Sequence, residues 1–391
     1  MGSYFRFERL PGAIPALDGL RGIAILMVLG RHAGRAIGFD TTFTPMFPIG
    51  SWDLMIPMLN GWAGVDLFFV LSGFLMTHYL LKRKGQISLR KYWLKRLLRI
   101  VPAYYAVLLV VALGLVPLYP VSPFHWWWRL TYHLLFLQDY LHSNFVVAFW
   151  SLGVEEKFYL LVPLLMLLFL RLGRGRGLLL LLLCICISPL CRLYGFLAWQ
   201  HELNHVNYFL WLRSPFHMSC DSLLIGALVA WLYHHRLSYG WLNATRSGPP
   251  LFWVGLAACV WLLGSSILVK DLTLVNVVLT PDALALSFGT LMLGMLLCPK
   301  VPGATFWNSY FLLIFCRLSY CIYLVHMLFM NSVLDLLWLF LDRPVPIGLV
   351  PIDPGFFLLY LLVFTAVSVL VAMALHFAVE KPFLILKDRV R

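Results

Sequence analysis

LDGLRGIAILMVLGRH, residues 17 to 32, is apolar enough to lie in a bilayer, yet Arg21 stands near one end and His32 near the other. On an ideal α-helix the eleven-residue step between them is about 1100° of rotation, roughly 20° past three full turns, and about 16 Å of rise. Both side chains therefore point the same way. Ionisable residues within a span usually face the bundle interior or a water-filled cavity, because exposure to lipid costs about 2.5–3.5 kcal/mol even on the mildest scale. The competing reading is that Arg21 and the cluster Arg31, His32 and Arg35 mark the two membrane surfaces and snorkel.

The rest of the chain extends the pattern. Of 391 residues, 61% are hydrophobic and 12% charged, and the mean hydropathy of +0.85 excludes a soluble globular chain. The apolar runs lack strict alternation, so spanning helices are expected and a barrel is not. The fold class is all-α, a polytopic membrane bundle. Runs of roughly 17 to 25 apolar residues fall near 14–35, 58–81, 98–119, 146–171, 177–198, 213–234, 250–269, 276–298, 308–340 and 355–378. The ninth is too long for one straight span, so a kink or an extension past the bilayer is expected. No small-residue cleavage site follows RFERLPGAIPALDGLRG, so the first span is expected to be retained.

Basic residues fix an expected orientation, because Lys and Arg concentrate in cytoplasmic loops. With the N-terminus inside, RFER, KRKGQISLRKYWLKRLLR, RLGRGRG, HHRLSYGWLNATRSG, CPKVP and KDRVR lie inside with their roughly 20 basic residues, and the C-terminus is inside too. Lys82, Arg83 and Lys84 serve as topology signals. This asymmetry, with contact to anionic lipid, accounts for the net charge of +13, and no motif supports nucleic-acid binding. The eight cysteines sit in or beside apolar runs without C-x-x-C spacing and are expected to be packing residues, with no metal site. No soluble domain is expected: residues 1–391 form one transmembrane domain.

In the second span, WAGVDLFFVLSGFLMTHYL, Asp66 and Ser72 interrupt an apolar helix. An uncompensated Asp in lipid is costly, so Asp66 should meet a partner across the bundle. Gly64, Ser72 and Gly73 are the kind of residues that permit close helix contact. LDGLRGIAILMVLGRH followed by GVDLFFVLSGFLM closely resembles the opening of the acyltransferase-3 family of integral membrane acyltransferases. The resemblance continues through KRLLRIVPAYY (95–105, with an Arg-x-x-Arg), FWSLGVEEKFYLLVP (149–163), CDSLLIGALVA (220–230), RLSYCIYLVH (317–326) and VEKP (379–382). Some members carry an added SGNH-type extracytoplasmic domain. No such domain is expected here, which leaves the acceptor step to the bundle or to a separate SGNH-type partner.

The resemblance implies transfer of an acyl group, acetyl first, from cytoplasmic acyl-CoA to a hydroxyl of a sugar or other envelope acceptor in the cell (inner or plasma) membrane. Acyl-CoA would be a substrate, with no permanently bound cofactor. Guanidinium forks recognise phosphate bidentately, which suits Arg96 and Arg99 as clamps for the donor phosphates, with Arg21 nearby; the alternative is a positive-inside cluster on anionic lipid. Pro102 suits the first turn of a following helix. His32 is the expected general base, with Glu155 or Asp66 orienting it, all toward the outer side. Glu155 and Glu156 are also explained as favourable charge in a helix's first turn. The step of about 16 Å along that first helix is comparable with an extended phosphopantetheine arm, so Arg21 would mark the donor's phosphates and His32 its thioester.

Ser72 and Ser151 are candidate nucleophiles, but neither lies in a G-x-S-x-G elbow, and packing or backbone hydrogen bonding is expected of them. Asp221, Arg317 and His326 match the family motifs, and intramembrane polar pairing accounts for them equally well. FHWWWRLTYHLLFLQDY is read as an interfacial aromatic anchor before a sugar platform. The rival class is an ion-coupled transporter using the same intramembrane groups, which predicts repeat symmetry and Gly/Pro-broken half-helices, neither visible here. A non-catalytic bundle fits only if His32 is dispensable.

Overall fold

Hydrocarbon leaves backbone N–H and C=O groups only one another as partners, and each of the ten apolar runs holds a helix. The computed structural model describes residues 4, 7, 9, 14–38, 46–50, 52–83, 88–119, 125–141, 145–200, 203–240, 242, 244–265, 271–298, 300–341 and 353–389. Lys84, Phe124, the end of the 250–269 run, and parts of RFER, of HHRLSYGWLNATRSG and of the KDRVR tail lie outside the described residues.

The main helices are α1 (Pro15–Ala36), α2 (Ala63–Lys82), α3 (Leu89–Ala112), α4 (Trp126–Leu134), α5 (Trp150–Ile185), α6 (Ile187–Ala198), α7 (Phe216–His235), α8 (Ala244–Gly264), α9 (Thr280–Leu297), α10 (Tyr310–Phe340), α11 (Pro354–Leu375) and α12 (Lys381–Arg389). A two-residue hairpin pairs Pro48–Ile49 with Trp52–Asp53. Among the described residues, seven helical stretches are long and apolar enough to cross a membrane, and one of them, Val147–Ala198, contains two of the expected spans. The chain turns back within it at Gly173, whose φ of 78° interrupts α5. Helices α1 and α3 fall outside the seven because charge punctuates their apolar residues.

Two expectations are refined. The long ninth run is one continuous helix of 31 residues, about 46 Å at 1.5 Å per residue, so it outreaches the hydrocarbon instead of kinking. Pro102 lies inside α3 and not at the start of a helix, because the basic stretch and the span form one helix; spanning helices tolerate such prolines where neighbours satisfy nearby backbone groups.

Contacts along the helices give their directions. Gly64 packs on Ala24 and Gly61 on Met27, so α1 and α2 run antiparallel. Gly22 meets Leu312 and His32 meets His326, so α1 and α10 run parallel. Asp66 meets Ser222 and Phe74 meets Tyr233, making α2 parallel to α7. Gly248 faces Cys298 and Gly255 faces Leu291, making α8 and α9 antiparallel. These directions agree with successive crossings of one bilayer. The α2–α7 contact is tightest: a Cβ at Gly73 would stand 1.9 Å from the Leu223 carbonyl oxygen, and one at Gly226 would stand 2.1 Å from that of Val70. Small residues let spanning backbones approach this closely, and dispersion then supplies the adhesion that lipid cannot.

Candidate active site

The face of α2 carrying Phe68, Ser72 and Leu75, at i, i+4 and i+7, opens on a cavity also lined by Ser151, Glu155 and Tyr159 of α5 and by Tyr320 and Tyr323 of α10. Arg21, Arg96 and Arg99 line its other side. The same three arginines also line a wider cavity at one end of the bundle, with about 2910 Å³ of atom-free space including its open mouth. The two spaces are therefore contiguous. Eight Lys or Arg side chains line the wide mouth against the carboxylates of Asp18, Glu380 and Asp388, so the mouth favours anions. Ends of α1, α2, α3, α7, α10 and α12 meet there.

Guanidinium donors at this mouth are incompletely used. Arg96 Nε, Arg317 Nε and Arg317 Nη2 are buried with no hydrogen-bond partner among the described residues. A buried donor without a partner costs about 1–3 kcal/mol, more when charged. An anion with several oxygens would satisfy these donors. Arg96 also lies over the Tyr159 ring, 5.7 Å from its centroid.

Farther along the conduit, Ser72 Oγ donates to Glu155 Oε1 at 2.9 Å and Tyr159 Oη donates to Glu155 Oε2 at 3.2 Å. Glu155 is thus held by two hydroxyls in the cavity the arginines share. Beyond it, Ser151 Oγ and Tyr323 Oη lie 2.6 Å apart, and Tyr323 also donates to the Ala148 carbonyl at 2.8 Å. The Tyr323 ring then contacts His326, with centroids 5.7 Å apart.

His32 and His326 form a ring pair with centroids 4.9 Å apart. His326 Nδ1 lies 3.1 Å from the Ile322 carbonyl oxygen and 2.9 Å from that of Tyr323. Carbonyls only accept, so Nδ1 carries the hydrogen and Nε2 the lone pair in the neutral ring. His326 Nε2 and His32 Nδ1 are both buried without partners among the described residues.

Neither expected carboxylate hydrogen-bonds to His32. Asp66 Oδ2 accepts from Arg213 Nη2 at 2.7 Å and Oδ1 from Ser222 Oγ at 3.0 Å. The reason lies in the helical phase of α2: Gly64 faces α1, and a residue two positions on points about 200° away, toward α7. Arg213 is sandwiched between Trp62 and Trp150, with centroids 5.3 and 5.5 Å from its Cζ. Asp221 also belongs to a buried ion cluster, accepting from Arg192 Nη2 at 2.7 Å, and Asp282 joins the same guanidinium. Arg317 instead joins the arginines of the mouth. Trp127 and Trp128 of α4 project outward.

Several polar partners escaped the sequence reading. Tyr159 stands one turn after Glu155, and Tyr323 three residues before His326, so helical spacing carried a signal for both. Arg192, Arg213 and Asp282 gave no local signal, because each meets its partner across the bundle.

A profile of the acyltransferase domain family matches residues 14–376. The peptidoglycan O-acetyltransferase OatA of Listeria monocytogenes is 29% identical over 170 residues, covering 39% of this chain and 24% of the relative. A putative O-acetyltransferase of Staphylococcus aureus is 29% identical over 172 residues, with the same shares. The putative peptidoglycan O-acetyltransferase YrhL of Bacillus subtilis is 31% identical over 169 residues, again 39% and 24%. The alignments thus span about a quarter of the length of these relatives. No solved structure matches the chain. With the profile covering nearly the whole bundle, the chain belongs to the acyltransferase-3 family of integral membrane acyltransferases.

Proposed function

We propose that this protein is a multi-pass O-acyltransferase of the cell membrane that moves an acyl group, acetyl first, from cytoplasmic acyl-CoA to a hydroxyl of a sugar or other envelope acceptor. The observation that carries the reading is the conduit: a cationic mouth with unused guanidinium donors runs into a cavity lined by Tyr323, whose ring contacts His326, which in turn contacts His32. The basic mouth is the cytoplasmic end. Arg21, Arg96, Arg99 and Arg317 hold the donor phosphates by charge-assisted, forked hydrogen bonds. The pantetheine arm lies along Ser72, Glu155, Tyr159 and Ser151, and the thioester arrives near His32.

His32 accepts the proton of the acceptor hydroxyl as its oxygen attacks the thioester carbonyl, then returns it to the departing thiolate. His326 is the positioning residue: its ring packs against His32, and its Nε2 lone pair, without a partner among the described residues, is the acceptor a His32 N–H would take once substrates are bound, leaving the other His32 nitrogen for the hydroxyl. A histidine in this role replaces the expected carboxylate, since Asp66 and Glu155 already hold other donors. Acceptors of the peptidoglycan kind are the first to test, because two relatives carry that name.

The test uses purified protein in lipid discs with acetyl-CoA and muropeptide or glycan acceptors. Free thiol should appear only with an acceptor, and the acceptor should gain one acetyl group by mass spectrometry. His32→Ala should stop both while leaving CoA binding intact. Ion-driven uptake without thiol release would instead establish the transporter.

A further inference from the structure

Cys321 on α10 and His376 and Glu380 after α11 are given no role by the acyl-transfer reading, although His376 and Glu380 line its mouth. Their donor atoms all lie within 4.8 Å of one another, and all three side chains are buried. Cys321 Sγ donates to Glu380 Oε2 at 3.1 Å, and His376 Nδ1 stands 2.6 Å from the same oxygen. We propose that this triad is a binding site for a zinc-class divalent cation, with thiolate, imidazole and carboxylate as ligands and a fourth position open to the wide mouth.

Three observations support it. A sulfur, a nitrogen and an oxygen donor form the borderline-soft set that zinc prefers over magnesium or calcium. Zinc–ligand bonds of 2.0–2.3 Å put tetrahedral donors about 3.5 Å apart, so the two contacts to Glu380 Oε2, at 3.1 and 2.6 Å, need to open by less than about 1 Å. Independently, residues 376–380 form a π-helical turn, a geometry that concentrates at functional sites and is costly without a reason.

The arrangement also fixes the open side. His376 and Glu380 line the mouth, whereas Cys321 is fully buried behind them. An ion therefore enters from the mouth, and water or a phosphate oxygen completes its shell. On binding, the Cys321 thiol loses its proton to solvent and a sulfur–metal bond forms. Thiolate and carboxylate together balance the divalent charge, so the loaded site beside Arg99 is neutral. The expectation that all eight cysteines only fill space is then too simple for Cys321. The ion would tie α10 to the α11–α12 junction.

Tag-free, full-length protein stripped with chelator is titrated with Co²⁺. Expected are one equivalent bound, a thiolate-to-cobalt charge-transfer band, and its displacement by Zn²⁺. Cys321→Ser should remove the band, and His376→Ala should weaken binding by at least about tenfold. A wild-type titration without the band, or a band that survives Cys321→Ser unchanged, overturns the site. If the variants do not fold, zinc-edge absorption on the wild-type protein decides: one sulfur at about 2.3 Å with nitrogen or oxygen neighbours supports the triad, and a shell without sulfur overturns it. These readouts involve no acyl transfer and stand whichever way the enzymatic test falls.

Discussion

Arg192 and Arg213 are buried in one region, each ion-paired with a carboxylate at 2.7 Å although Arg213 Nη1 has no partner, whereas Arg96 and Arg317 in the conduit region keep buried donors with no partner among the described residues. The first pair are intramembrane charges that the protein itself neutralises, and their partners lie on neighbouring helices. The second pair face a cavity that is open at one end. Charge that is matched inside the bundle ties helices together, and charge left unmatched beside a cavity is held ready for something that arrives. His32 and His326, with a buried nitrogen apiece and no partner, belong with the second group.

The largest effect should fall on that second group. His32→Ala is expected to lower acyl transfer by about 10²–10⁴-fold, the usual worth of a positioned general base, with an unchanged thermal unfolding curve. Thiol release and a melt on the same preparation check both halves, and full activity would remove His32 from the chemistry. Asp66→Ala should do the reverse. It leaves Arg213 buried and uncompensated, a loss of about 3–5 kcal/mol, read as a lowered unfolding midpoint in detergent. A fully stable Asp66→Ala protein that fails only in turnover would move Asp66 into the chemistry and blur the contrast between the regions.

Arg96→Gln and Arg317→Gln test the contrast from the other side. Each removes hydrogen bonds to a charged donor worth about 1.5–3 kcal/mol, so the KM for acetyl-CoA should rise about tenfold to a hundredfold. Stability should hold or improve, since a half-buried cation with unpartnered donors is removed. A destabilised variant with an unchanged KM would make these arginines structural.

The fold was legible because hydrocarbon gives the chain few choices. Apolar run length located α2, α7 and α11, and Gly64 and Gly73 marked the close contacts of α2. The site was only partly legible. Arg21 and His32 share a helix face because they share a helix, and their spacing could be counted. Asp66 could be recognised as needing a partner, but Arg213 stands 147 residues away, and nothing local tells which helix lies opposite. The phase of Gly64 against Asp66 held that information only once the α1–α2 contact was known. The same reasoning hid Cys321 from His376 and Glu380, since ligand spacing is readable only within one element.

Ser151→Ala is the smallest expected change and the sharpest about pathway. Ser151 Oγ lies 2.6 Å from Tyr323 Oη, both line the arginine-lined cavity, and the Tyr323 ring contacts His326. Tyr323 keeps its bond to the Ala148 carbonyl without it, so the loss is that of one hydroxyl contact, about 1 kcal/mol, or roughly a fivefold drop in transfer. A serine that carried the acyl group would behave otherwise: its removal would abolish transfer as completely as His32→Ala, and acetyl-CoA alone would leave a wild-type peptide heavier by one acetyl group. Rapid-quench mass spectrometry without acceptor looks for that adduct. With direct transfer the peptide stays unmodified and Ser151→Ala retains about a fifth of the activity, because the hydroxyl only steadies a tyrosine at the boundary between donor and base.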